Sequence, residues 1–119
     1  MDVNKKRVLV VGLGKSGVAS ALFLKAHGAR VTVSDTKPED QLKDEIPALL
    51  DHGIAVETGG HGERTFGAQD LIVVSPGVPT DSPRLVQARS LGAKVIGEVE
   101  LAGQLIVRCA RQRQASQLA

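Results

Sequence analysis

The sequence predicts an α/β sandwich around a parallel sheet, and three observations predict it. The apolar run Val8-Leu9-Val10-Val11 breaks directly into Gly12-Leu13-Gly14-Lys15-Ser16-Gly17. A second apolar run stops at Asp35, eighteen residues beyond the last of those glycines. A helical segment that ends in glycine, followed within about two residues by a new apolar run, occurs at Gly28, Gly53 and Gly92. Strand, glycine-rich loop, helix, strand and terminal acid are, in that order, the parts of a nucleotide site on a Rossmann-like sheet.

Each element can be justified in turn. Glycine after a helix accepts the left-handed conformation that closes it, so each repeat marks a helix end and a strand start. With Leu71-Ile72-Val73-Val74 added, five strands are predicted: 7–11, 30–34, 55–58, 71–74 and 94–96. The intervening helices carry apolar residues at three- and four-residue spacing. These are Val18, Ala21 and Leu22, with Lys25 continuing the stripe, then Ile46, Leu49 and Leu50, and then Leu85 and Val86 with Arg89. Asp81 or Ser82 before Pro83 supplies a cap and a proline at the first helical position. Between Thr58 and Asp70 the Gly59-Gly60-His61-Gly62 stretch is loop chemistry, which predicts an irregular or short helical link. Strands that alternate with helices must pair in parallel, and right-handed crossovers then give a Rossmann-like three-layer sandwich with a five-stranded parallel sheet in the order 3-2-1-4-5.

A chain of 119 residues with 42% hydrophobic and 24% charged residues suits one globular domain, here residues 1–103, with 104–119 as a tail that is either helix extension or disordered. No apolar run approaches the length of a membrane helix, and the basic start leads into a strand too short for a signal-peptide core, so a cytoplasmic protein is expected. Cys109 alone offers neither a disulfide framework nor a metal-binding cluster, and no metal site is expected. The net charge of +2 resides in the tail: residues 1–107 hold twelve Lys/Arg against thirteen Asp/Glu, and Arg108, Arg111 and Arg113 supply the rest. With Phe23 and Phe66 as the whole aromatic complement, the body is neither basic nor equipped to stack bases, which argues against nucleic acid as a partner.

In a doubly wound sheet the ligand crevice lies beyond the carboxyl ends of the strands where strand order reverses. Three polar segments are predicted there: Gly12 to Gly17, Ser34-Asp35-Thr36-Lys37, and Ser75-Pro76-Gly77-Val78-Pro79. Gly14 lets backbone approach a phosphate, and amides at the following helix start donate to its oxygens with the positive helix end behind them. Lys15 adds a cation and Ser16 a hydroxyl. Asp35 can accept from a ribose hydroxyl or from the N–H of a base; as a turn carboxylate near Pro38 it would be purely structural. Proline holds Ser75 extended and Gly77 admits a positive φ, so that turn presents backbone groups and a hydroxyl rigidly. His61 has no identifiable partner and is read as structural.

These segments, together with Gly97-Glu98-Val99-Glu100-Leu101, resemble the amino-terminal domain of the bacterial Mur ligases that add D-glutamate to UDP-N-acetylmuramoyl-L-alanine in peptidoglycan synthesis. The resemblance covers residues 5–103. It implies that Lys15, Ser16 and Gly17 meet the diphosphate, that Asp35, Thr36 and Lys37 surround the uracil, and that Ser75 and Gly77 close the uridine pocket from the other side. It further implies an ATP- and Mg2+-dependent amide-bond-forming ligase whose central ATP-binding and C-terminal domains are the partners of this one. The phosphate loop of the ATP domain has no counterpart in these residues. Catalytic residues are therefore unassigned, no cofactor is expected in this chain, and the isolated chain is expected to be inactive. Two rival readings are an NAD(P)- or adenine-nucleotide-binding domain of a dehydrogenase or regulatory sensor, which the glycine spacing with Asp35 favours, and a structural or interaction module.

Overall fold

A computed structural model describes residues 3–12, 15–59, 63–75, 78, 82–98, 100, 101 and 103, with backbone alone at 15, 16, 63 and 64. Five strands, β1 (Arg7–Val11), β2 (Arg30–Ser34), β3 (Ala55–Glu57), β4 (Leu71–Val74) and β5 (Lys94–Gly97), form one sheet in the order β3-β2-β1-β4-β5. All four pairings are parallel. The predicted architecture and strand order are therefore those observed, and the strand boundaries agree to within one residue.

Helices α1 (Lys15–Ala26), α2 (Ile46–Asp51), α3 (Glu63–Gly67) and α4 (Pro83–Ser90) make the crossovers, with a 3-10 turn at Glu39–Gln41. Successive residues of a strand point to opposite faces of a sheet, and the two faces are filled accordingly. Val8 and Val10 of β1 and Leu71 and Val73 of β4 pack with Ala21 and Leu24 of α1 and with Ile46 and Leu49 of α2. Leu9, Val11, Ile72 and Val74 face the other way, onto Phe66 of α3 and Leu85 and Ala88 of α4. Because both faces are covered, β1 and β4 read as unbroken apolar runs. After β5 the chain turns at once into helical backbone at Glu98, Glu100, Leu101 and Gly103, and Leu101 is buried in the α1–α2 layer. The tail 104–119, Cys109 included, lies outside the described residues.

Some local expectations need correction. The spacing places Leu50 and Val86 on apolar faces, but they are 57% and 52% exposed. Adjacent residues lie about 100° apart around a helix, so Val86 cannot share the face that Leu85 and Ala88 turn to the sheet. In α2 the stripe centres between Ile46 and Leu49, which leaves Leu50 at its outer margin. Ser82 occupies the N-cap of α4 in extended conformation, but its side chain makes no capping bond; Asp81 lies outside the described residues. Gly28, Gly53 and Gly92 have φ of +89°, +74° and +101°, as helix-closing glycines should. The link before β4 contains the short α3, within the expectation stated for it.

Candidate functional site

The register sets the site. Val11 is level with Ser34 on one side and Val74 on the other, and Val74 is level with Gly97. The next residue of each strand is therefore Asp35, Gly12, Ser75 and Glu98, in that order along one rim. At about 4.8 Å per strand, the row spans about 14 Å. Each member is a polar side chain or a glycine, although the residues just before them, Val11, Ser34 and Val74, are 3% exposed or less.

The rim is tied together by backbone bonds that continue the ladder beyond the strands. Gly12 N donates to Ser34 O at 2.8 Å, Ser75 N to Val11 O at 3.1 Å, and Asp35 N to Glu57 O at 3.0 Å. At its centre the chain must turn from β1 into α1 in minimal space. Gly12 adopts φ +103°, and a side chain there would put its Cβ 2.9 Å from the Ser75 Cβ and closer still to Ser75 Oγ. A Cβ at Gly17 would overlap the Gly12 carbonyl oxygen and come within 3.1 Å of its carbon. The third glycine of the motif thus has the role of bringing helix and loop into contact. The start of α1, whose first amides have no intrahelical partner and whose dipole end is positive, is consequently fixed beside β1 at this rim, which is a ready environment for an anion.

Asp35 is 8% exposed, and its Oδ1 accepts from Lys37 N at 2.8 Å. The structural role considered for it, a turn carboxylate ahead of Pro38, is thus present. A carboxylate accepts at both oxygens, with about four lone-pair sites in all. Lys37 O in turn accepts from Gly59 N at 3.0 Å, which holds the β2 exit against the β3 exit. Thr36 and Lys37 are exposed. On the other side, Ser75 Oγ donates to Glu98 Oε1 at 3.0 Å, and Glu98 is 9% exposed. A Cβ at Gly17 would lie 3.8 Å from that same Oε1, so Glu98 reaches under the start of α1.

Of the predicted site residues, Gly17, Asp35 and Ser75 are brought to one rim, with Thr36 and Lys37 following Asp35 on its outer side. Lys15 and Ser16 open α1 beside it, and their side chains lie outside the described residues, as do Gly14, Gly77 and His61. Sequence reasoning named Gly12 and Glu98 only within their motifs and gave neither a role in the site. Glu98 was findable, since it follows a strand end just as Asp35 and Ser75 do. Among the described residues no group of three metal-ligating side chains occurs, and no helix is long and apolar enough to cross a membrane.

Comparison with known proteins agrees with this geometry. Residues 6–97 match the family described as "Mur ligase MurD-like, N-terminal domain". The chain is 71% identical over 106 residues to the UDP-N-acetylmuramoylalanine–D-glutamate ligase of Koribacter versatilis, a match over 89% of this chain and 23% of that protein. It is 61% identical over 106 residues to the ligase of the same name from Acidobacterium capsulatum, with the same coverage. The chain thus spans about a quarter of the length of these relatives. Among solved structures, the UDP-N-acetylmuramate-alanine ligase of Thermotoga maritima superimposes with a TM-score of 0.72 at 22% identity, over 87% of this chain and 23% of that one, a likeness of fold.

Proposed function

Since the chain belongs to the Mur ligase MurD-like N-terminal domain family, we propose that it is the substrate-gripping domain of a ligase that joins D-glutamate to UDP-N-acetylmuramoyl-L-alanine, and that it holds the UDP end of that substrate. The observation that carries this reading is the convergence, on one rim, of the α1 start with a buried carboxylate two residues upstream of an exposed lysine.

The chemistry required of such a domain is binding and orientation. Diphosphate oxygens need donors and positive potential, which the amides of Lys15, Ser16 and Gly17 supply at the head of α1, together with the Lys15 ammonium and the Ser16 hydroxyl. Gly14 lets the loop backbone come close. A uracil ring offers an N–H donor between two carbonyl acceptors; Asp35 is the acceptor for the first, while Thr36 and Lys37 offer donors for the others. Ser75 borders the opposite side, which Gly77 would help to close. Holding the nucleotide at both ends fixes the direction in which sugar and peptide leave the cleft, and that direction is the domain's contribution to the rate. In the complete enzyme, ATP and Mg2+ would activate the peptide carboxylate on the other domains, and D-glutamate would attack it; no residue of this chain is assigned to those steps. The protein would act in the cytoplasm, in cell-wall synthesis, and so in cell shape and division.

One observation favours a second reading, a dinucleotide site: the acid at the end of β2 also suits a ribose diol. Calorimetric titration of the chain with UDP-N-acetylmuramoyl-L-alanine, UDP and NAD separates the two. Heat from both uridine compounds and none from NAD is the expected result. Saturable NAD binding with no response to UDP would overturn the proposal.

A further inference from the structure

We propose that Glu98 is a positioning residue for the nucleotide, acting through Ser75 to hold Gly12 and the head of α1 where they can bind it. The inference rests on the uridine-diphosphate reading and deepens it.

A serine hydroxyl carries a single proton to donate. Here that proton goes to Glu98 Oε1 at 3.0 Å, so Ser75 has acceptor capacity left but no donor for a phosphate oxygen. Its part in the site is then one of shape. The Ser75 side chain fills the space that a Cβ on Gly12 would occupy, and its backbone N–H is bonded to Val11 O. Pinned at backbone and hydroxyl, Ser75 forms the wall against which Gly12 makes its positive-φ turn into α1. Glu98 is itself held firmly, buried at the first residue after β5 and followed by helical backbone whose Leu101 enters the core. A buried carboxylate is costly unless hydrogen-bonded, and this one meets the serine while reaching beneath Gly17. Contacts therefore run continuously from β5 through Glu98 and Ser75 to Gly12 and Gly17, the two glycines that set the aim of the α1 amides.

If Glu98 works through Ser75, removing either should weaken the nucleotide by the same step, and removing both should do no more. The test is calorimetric titration of the chain with UDP for wild type, Glu98→Ala, Glu98→Gln, Ser75→Ala and the double alanine variant, with amide exchange at Gly12 and Ser75 followed alongside. Each single alanine variant is expected to raise the dissociation constant about tenfold, the effect of one hydrogen bond to a charged group, with the double variant equal to the singles. Glu98→Gln keeps a carbonyl oxygen to accept the serine proton, so it should stay within about threefold of wild type. A merely structural carboxylate would change exchange and melting but leave UDP affinity where it was. Equal affinity in Glu98→Ala and wild type, or losses that multiply in the double variant, would overturn the role of Glu98 while leaving the uridine reading intact. Absence of UDP binding by wild type would overturn that reading itself. Should Glu98→Ala fail to fold, Ser75→Ala with Glu98→Gln decides: the first must lose affinity and the second must keep it.

Discussion

Replacing Gly17 by alanine inverts an ordinary rule. Glycine within a helix is worth up to about 1 kcal/mol less than alanine, so the substitution should stabilise α1 on propensity alone. Here the new methyl would overlap the Gly12 carbonyl oxygen and sit 3.1 Å from its carbon. Those atoms are backbone, fixed by the Gly12 N bond to Ser34 O, and cannot swing aside as a side-chain end could. Relief requires α1 to lift from the sheet, loosening Ala21 and Leu24, both fully buried. Overpacking a well-filled site costs about 1–3 kcal/mol, and contact with backbone belongs at the upper end of that range. Subtracting the propensity gain leaves a net loss of about 2 kcal/mol, or about 10 °C in Tm for a domain of roughly 100 residues. Gly67→Ala is the control, because its Cβ would meet only Leu91 Cδ1, at an ordinary 3.5 Å. Thermal melts of the two variants should separate, with Gly17→Ala falling and Gly67→Ala unchanged or higher. A Gly17→Ala chain that melts at or above wild type would refute the packing argument and the account of why the turn is so tight.

Other perturbations follow from the same contacts. Leu24→Ala empties a fully buried position between α1 and the sheet and should cost about 2–5 kcal/mol, read from the urea midpoint at constant slope. Asp35→Ala removes the acceptor for Lys37 N and should lower stability by about 1 kcal/mol while weakening UDP about tenfold, whereas Asp35→Asn, which retains an oxygen for that amide, should keep most of the stability; equal melting of the two variants would deny the turn bond. The backbone N–H of Arg7, and after it the Arg7 guanidinium, hold the Asp70 carboxyl below its ordinary value of 3.8. A depressed carboxylate stabilises the fold above that value, and the contribution disappears as pH falls through the lower, folded value. Melting of Asp70→Asn should therefore lie below wild type at neutral pH and converge with it in acid; since both partners are exposed, the gap should be small and shrink with salt. A gap that stays constant down to strong acid would contradict the assignment.

The strands were legible because burial on both faces leaves little freedom of composition. Val8 to Val11 and Leu71 to Val74 have no polar residue to place, and glycines 28, 53 and 92 punctuate the helix ends. Helix faces were harder. α2 is six residues long and α4 eight, too few turns for a period to be read securely, so Leu50 and Val86 were placed inside while Ala88, small and unremarkable in a sequence, was overlooked. The site was legible where it is continuous in sequence, at the glycine loop and at Asp35. The pairing of Glu98 with Ser75 was not, because the two are 23 residues apart and only the β4–β5 register brings them together.

The central position of β1 has a cost during synthesis. Its partner on one side, β2, follows soon, but the β4 side is closed only by residues about sixty positions later, Arg7 and Asp70 being 63 apart. At about 5–20 residues per second, a nascent chain waits about 3–13 s after β1 leaves the ribosome with one edge of Val8 to Val11 unpaired and the face of Leu9 and Val11 uncovered. During that interval the unbroken apolar run of β1 is an aggregation hazard, so chaperone capture and refolding yield should be governed by β1 more than by any surface of the finished domain.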